Sequence, residues 1–494
     1  MKSGRLTFLT TAVLCGVLPI PARVAPQNAN SKIISFDAPG AMSVAGSFGG
    51  TFPKSINGAG AIAGHYVDAN GFYHGFLRNP GGEFIALDAP GAGASVGSHL
   101  GTFRFSININ DRGTITGNYV DSNDVSHGFL RGPAGEFSTV DVPGARSAAG
   151  SFDGTFPSSI NNAGTITGIY VDANTLYHGF LRSPGGEFTS LDAPGAGTSV
   201  GTRFRMFPAP TVNIKTRSIN INDRGAVTGN YIDSDNVSHG FLRSPAGEFI
   251  TLDAPGARSA AGSFDGTFPS SINNGGTITG NFIDSKDLNH GFLRSPSGAF
   301  ITFDAPGVKS VAAAGYGTVP ESINDSGAIT GHYIDVRDAT RGFMRAPGGS
   351  FTTFDAPGAS STAAFGYGTV PESINDAGAV TGHYGDASGV FHGFLRAADG
   401  KVTTFDAPGA ATGTLPKSIN AGGAITGHYV DAQNVDHGFV RSPSGNFTTF
   451  DVPGAGTDAG SGFGTFPDSI NDAGAITGHY IDAQGLNHGF LLIP

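Results

Sequence analysis

Among its 494 residues the chain has no tryptophan, one cysteine and four methionines. With Cys15 alone, no intramolecular disulfide can form, so stability has to come from packing and hydrogen bonds. Charged residues are also scarce, at 14%, and 28 Lys and Arg face 39 Asp and Glu, for a formal net charge of -11. That shortage of positive charge excludes a general nucleic-acid binder, which must neutralise phosphates. It argues equally against an anionic membrane surface as partner. No apolar run is long enough for an integral membrane segment, and no segment has a 3.6-residue period, so almost no helix is expected. There is no nucleophile elbow, P-loop or Cys-x-x-Cys. Calcium would need closely spaced oxygen ligands, to which Asp121–Asp124 and Asp233–Asp235 are only loose approximations. No cofactor or metal is therefore expected.

What is abundant is glycine (78), phenylalanine (38) and proline (29). Residues 1–29 read as a signal peptide and short linker. Lys2 and Arg5 precede an apolar run from Leu6 to Leu18, Pro19 and Pro21 break it, and small residues follow. Leu14 before Cys15 is not the small residue a lipoprotein signal would need. The chain is thus expected to be secreted, extracellular or periplasmic, and bacterial.

Residues 30–494 are filled by repeats, which define one domain. Asp-(Ala/Val)-Pro-Gly begins at Asp37, Asp88, Asp141, Asp192, Asp253, Asp304, Asp355, Asp406 and Asp451, at spacings of 45 to 61 residues. Each copy continues through Ile-Asn, a turn, a strand ending Tyr/Phe-x-Asp, and His-Gly-Phe. In one copy, Asn324 and Gly327 occupy the first and fourth positions of a type I turn. Ala328–Asp335 then alternates with period two, Arg341–Ala346 is a second strand, Phe351–Asp355 a third, and Thr318–Asn324 a fourth.

Four short antiparallel strands per unit of about 50 residues is the arithmetic of a β-propeller blade. The expected fold is therefore all-β, a propeller of about nine four-stranded blades with the Ile-Asn strand innermost. The chain starts with an outermost strand, Ile33–Asp37, and ends with a third strand, His488–Pro494. Pairing them would complete a ninth blade and remove the open edges. Two smaller rings or an open β-solenoid are the alternatives.

The segments Ser469–Asp482 and His488-Gly489-Phe490, with their equivalents in every copy, resemble the bacterial extracellular HAF repeats, named for a His-Ala-Phe tripeptide. Glycine replaces alanine in all nine copies here, and Arg341 replaces histidine in the sixth. The resemblance covers residues 33 to 494. It implies a secreted or surface bacterial protein and supplies no catalytic residues.

All fourteen histidines except His99 fall into two sets. His74, His127, His178, His239, His290, His392, His437 and His488 open His-Gly-Phe; His65, His332, His383, His428 and His479 occupy Gly-His-Tyr. Residues repeated around a ring cannot converge on one site, so they read as buried imidazoles paired across strands. The repeated aspartates read as caps of backbone amides at turns. Function is then expected where copies differ. The fourth copy carries extra residues with Arg203, Arg205, Lys215 and Arg217, the candidate ligand-binding set, suited to carboxylate, sulfate or phosphate groups. The expected function is a non-enzymatic binding or scaffold module, monomeric, with an acidic glycan or a surface protein as partner. The alternative is an exported polysaccharide-active lyase or hydrolase on the same scaffold.

Overall fold

The computed structural model describes residues 31–44, 49–93, 101–102, 106–197, 219–263, 265–310, 316–361 and 368–494. Among these every regular element is a strand and none is a helix. The strands form nine four-stranded antiparallel units. Unit 5 shows the plan, with an inner strand Thr267–Ile272, a second strand Ile278–Ile283, a third strand Asn289–Arg294 and an outer strand Phe300–Phe303, paired in that order. We number units 1 to 8 from the inner strands that start at Gly50, Gly101, Thr155, Asn220, Thr267, Thr318, Thr369 and Gly413, and unit 9 from Gly464. The described parts of the inner strand are Asn220–Ile221 in unit 4 and Gly101–Thr102 with Asn108–Ile109 in unit 2.

Alternation in the sequence is what makes these strands, but both of their faces are apolar, and the structure shows why. Each second strand is buried on both sides, as Ile278 and Thr279 are at 0% exposure, because neighbouring units pack against each other. The phenylalanine of His-Gly-Phe is the centre of each unit's core. All nine, from Phe76 to Phe490, are fully buried. Truncating one, as in Phe292→Ala, costs about 3–5 kcal/mol.

Two glycine positions set the spacing between units. Gly154 opens an inner strand at φ 144°, and a Cβ there would lie 1.8 Å from the Ser126 carbonyl of the preceding unit. Gly291, within His-Gly-Phe, lies beneath the Phe303 ring, 2.3 Å from where its Cβ would be. An alanine has no room there.

The two chain ends meet in unit 9. Lys32–Phe36 pairs antiparallel with Asn487–Ile493, from Lys32 opposite Ile493 to Phe36 opposite Gly489. The first strand therefore supplies the outer strand of the last unit. Phe36 also packs with Phe76 of unit 1, and Asn487 bonds to the Gly49 carbonyl at 2.9 Å.

A second set of contacts runs from unit to unit. The asparagine ending each inner strand donates from Nδ2 to the backbone carbonyl of the equivalent asparagine in the next unit. The bonds run Asn57, Asn110, Asn161, Asn222, Asn273, Asn324, Asn375, Asn420, Asn471, all at 2.9 to 3.1 Å. Asn471 then donates to the Asn57 carbonyl at 3.1 Å, so the circuit returns to its start.

Candidate functional site

The candidate residues Arg203, Arg205, Lys215 and Arg217 lie outside the described residues, in the stretch 198–218.

The His-Gly-Phe histidines are placed, and they correct two expectations. They are half-buried rather than buried, and their partners are two carboxylates. His290 Nδ1 is 2.8 Å from Asp304 of Asp-x-Pro-Gly, and its Nε2 is 3.4 Å from Asp284 of Phe-x-Asp. Its ring stacks on Phe282 at 5.0 Å. In unit 9 the same group joins the two chain ends, with His488 between Asp37 at 2.8 Å and Asp482 at 3.2 Å. In unit 6, Arg341 bridges Asp335 and Asp355 in the histidine's place. Only the Tyr/Phe-x-Asp set caps backbone. Asp284 accepts from the amides of Lys286 and Leu288, whereas Asp304 serves its histidine.

These partners shift protonation. The hydrogen bond to Asp304, opposed by partial burial and helped by the charges of both aspartates, holds His290 above the usual imidazole range. His74, His127, His178, His239, His437 and His488 are raised likewise. Partial burial resists ionisation of Asp284, but the Leu288 and Lys286 amides outweigh it and hold the carboxyl below its ordinary value.

A repeated arginine was not read as part of the scaffold from sequence. Arg78, Arg131, Arg182, Arg294, Arg345 and Arg396 end their third strands largely buried. Several guanidinium groups lie over a phenylalanine of the preceding unit, as Arg396 does over Phe354 at 5.5 Å. Repeated positions thus serve the scaffold.

The Gly-His-Tyr histidines are different, because they are absent from units 2 to 5. Their positions there hold Asn118, Ile169, Asn230 and Asn281. His332, His383, His428, His479 and His65 belong to units 6, 7, 8, 9 and 1, which the Asn471–Asn57 bond makes neighbours. The inner strands of these five units each carry a β-bulge after a proline, and the residue at the bulge is charged. These residues are Glu321, Glu372, Lys417, Asp468 and Lys54. In units 3 and 5 the same bulge holds Ser158 and Ser270, each bonded to the backbone of its own unit. A bulge re-aims a side chain out of the ladder; Lys54, Lys417 and Asp468 are exposed.

Within the arc, carboxylate and imidazole pair. His332 is 3.3 Å from Glu321, His383 is 3.5 Å from Glu372, and His479 is 3.1 Å from Asp468. Aromatic rings connect units 8, 9 and 1. His428 lies 5.5 Å from Phe466, Phe466 stacks on His479 at 5.0 Å, His479 lies 6.0 Å from Phe52, and Phe52 stacks on His65 at 4.8 Å. Beneath them His428 and Asp436 are 3.7 Å apart. Burial drives both toward neutrality. The imidazole falls to about 4, with Lys417 adding to the effect, and the carboxyl rises to about 6.

The turns after the inner strands form one further rim. Asp223, Asn274, Asp325 and Asp376 border a concavity of about 290 Å³ shared by units 4 to 7. Their side chains are engaged in bonds from one unit to the next, such as Asn274 N to Asp325 Oδ1 at 2.9 Å. Among the described residues no group of three or more His, Cys, Asp or Glu is arranged to hold a metal ion, and no helix is long and apolar enough to cross a membrane.

The chain matches no protein-family model and no curated protein. Three solved structures match at low scores. A prolyl endopeptidase matches with TM-score 0.43 at 10% identity, over 78% of this chain and 53% of that one. The β-propeller domain of the Trilobed protease from Pyrococcus furiosus matches with TM-score 0.35 at 10% identity, over 73% and 98%. A lectin from Burkholderia pseudomallei matches with TM-score 0.35 at 12% identity, over 72% and 97%. At these identities and scores the likeness carries nothing about activity or ligand.

Proposed function

We propose that the chain is an exported binding module built as one closed nine-bladed propeller, in which the units are the blades. The observation that carries this reading is the asparagine circuit, which passes through every unit once and returns from Asn471 to Asn57 at 3.1 Å. The strand pairing of Lys32–Phe36 with Asn487–Ile493 supports it at the same junction. In such a ring the repeated His, Asp and Arg are used up in the scaffold, and the positions where units differ are left to recognise a partner.

On this reading the partner is an acidic glycan or a surface protein. The basic set Arg203, Arg205, Lys215 and Arg217 is the sequence feature that favours acidic polymers, since the planar arginine fork pairs with carboxylate and sulfate. The test is retention on immobilised alginate-like and sulfated polymers at low salt, comparing the parent with Arg203→Ser/Arg205→Ser/Arg217→Ser. The parent should bind in a salt-sensitive way and the triple variant should not. Equal binding by both would remove this segment from the reading. Conversion of the polymer to shorter or unsaturated products would replace the binding module with the enzyme.

A further inference from the structure

The five charged bulge residues occupy one inner-strand position in five contiguous units. Their order around the units is Glu321, Glu372, Lys417, Asp468, Lys54. At this position units 6 and 7 carry carboxylates, each paired with a histidine of its own unit. Asp468 is held by His479 at 3.1 Å, and its charge acts on Lys54. Lys417 of unit 8 and Lys54 of unit 1 stand on either side of it. A ligand that satisfies the whole arc has to present positive groups to one end and negative groups to the other. Between and beneath them runs the stripe of rings from His428 through Phe466, His479 and Phe52 to His65, a half-buried surface suited to flat or apolar groups. A polyanion would meet Glu321 and Glu372, and a polycation would meet Lys417 and Lys54.

We propose that this arc is a binding site for a short zwitterionic peptide, lying along the inner strands with its ammonium groups at Glu321 and Glu372 and its carboxylates at Lys417 and Lys54. The proposal rests on the single-ring reading, because only ring closure makes unit 1 continue the arc from unit 9. The bulges hold the charged groups clear of the ladder, and the imidazoles fix the carboxylates, so little ordering entropy is lost on binding.

The test is fluorescence anisotropy at low salt with a labelled hexapeptide of two lysines, two glycines and two glutamates. Hexalysine, hexaglutamate and an oligogalacturonate serve as competitors. The mixed peptide is expected to bind more tightly than any competitor. Glu321→Lys with Glu372→Lys, and separately Lys54→Glu with Lys417→Glu, should each weaken it at least tenfold. Ser158→Lys with Ser270→Lys, outside the arc, should leave it within twofold. Binding that the serine variants weaken as much as the arc variants overturns the proposal. So does a preference for hexaglutamate or oligogalacturonate that only the lysine variants abolish, which would mean a simple anion site. Thermal melts separate this from failure of the ring. Variants that melt as the parent does, yet bind the peptide unchanged, refute the arc and leave the ring standing. Should the charge reversals not fold, Glu321→Gln/Glu372→Gln and Lys54→Gln/Lys417→Gln carry the same comparison.

Discussion

Units 2 to 5 and units 6 to 9 with unit 1 share strands, core and turn chemistry, yet differ at two positions. The first group has Asn118, Ile169, Asn230 and Asn281 on the second strand, with Ser158 and Ser270 at the bulges. The second has a histidine and a charged residue in every unit. Since both groups build the same sheet, neither the histidine nor the charge is needed to fold a unit. The comparison separates what a repeat requires from what has been placed on it.

The largest expected effect comes from breaking the second group at its middle. Deleting Ile33–Pro39 removes the outer strand of unit 9 and exposes the edge of Asn487–Ile493. We expect aggregation or a melting temperature lower by ten degrees or more. A deletion variant melting within two degrees of the parent would refute the single ring, and with it the adjacency of units 9 and 1.

A smaller effect is expected at Asp436. Unit 5 has the uncharged version of this pair, with Asn281 bonded to Asn289 at 2.7 Å. Burial raises the Asp436 carboxyl to about 6. A group raised in this way contributes its full stability below its ordinary value of 3.8 and loses it as pH passes through about 6. At pH 7.5 the charged form therefore carries a penalty on the order of 2–3 kcal/mol, since each tenfold change in proton affinity corresponds to about 1.4 kcal/mol. Asp436→Asn should raise stability at pH 7.5 and leave it unchanged at pH 4, as read by urea melts. Loss of stability at both pH values would mean that the carboxylate is needed by His428.

The His-Gly-Phe groups, common to both halves, set the pH profile of the scaffold. The imidazoles of His74, His127, His178, His239, His290, His437 and His488 are raised, so the stability they give is full below the ordinary imidazole value near 6.5 and is lost as pH rises through the raised one. The lowered Asp284 set works the other way, contributing above its ordinary value and losing it as pH falls. Stability should peak in mildly acidic solution and decline by pH 8. Each half-exposed pair is worth about 0.5 kcal/mol after screening. Replacing His290 with Arg, the unit 6 solution, should flatten the alkaline side of the profile slightly. An unchanged profile would show that these pairs do not couple to folding.

The smallest effect tests the comparison itself. Glu321→Ser with His332→Asn converts unit 6 to the unit 5 pattern, and its melting temperature should move by no more than about two degrees, since surface changes rarely exceed about 0.5 kcal/mol. A large loss would mean that the arc is structural.

Much of this was legible in the sequence. Period two at Ile329–Ile334, the Asn324–Gly327 turn and the complementary end strands gave the unit, its strand order and the pairing of the termini. The carboxylate partners of His290 were not legible, because Asp284 and Asp304 meet only when the third strand lies between the second and the outer one. The arc was missed for a different reason. His65 and His479 stand at opposite ends of the chain, and the Gly-His-Tyr copies look scattered until units 9 and 1 are placed side by side. The signal available was which copies carry histidine, read cyclically instead of linearly. The basic segment of unit 4 stands out in the sequence by local charge alone.

The asparagine circuit has a consequence for how such a protein grows. Every link joins a side chain to the same backbone atom of whichever copy comes next, so no link is specific to a particular pair of units. A gene duplication that inserts one whole repeat replaces one link by two equivalent links and leaves the others as they were. The near identity of Thr318–Tyr333 and Thr369–Tyr384 is the trace such an event leaves. Because one unit is assembled from both ends of the chain, insertions between those ends leave the joint untouched. Copy number can then change by whole steps while the joint stays the same, and each new copy is free to acquire a different residue at its bulge.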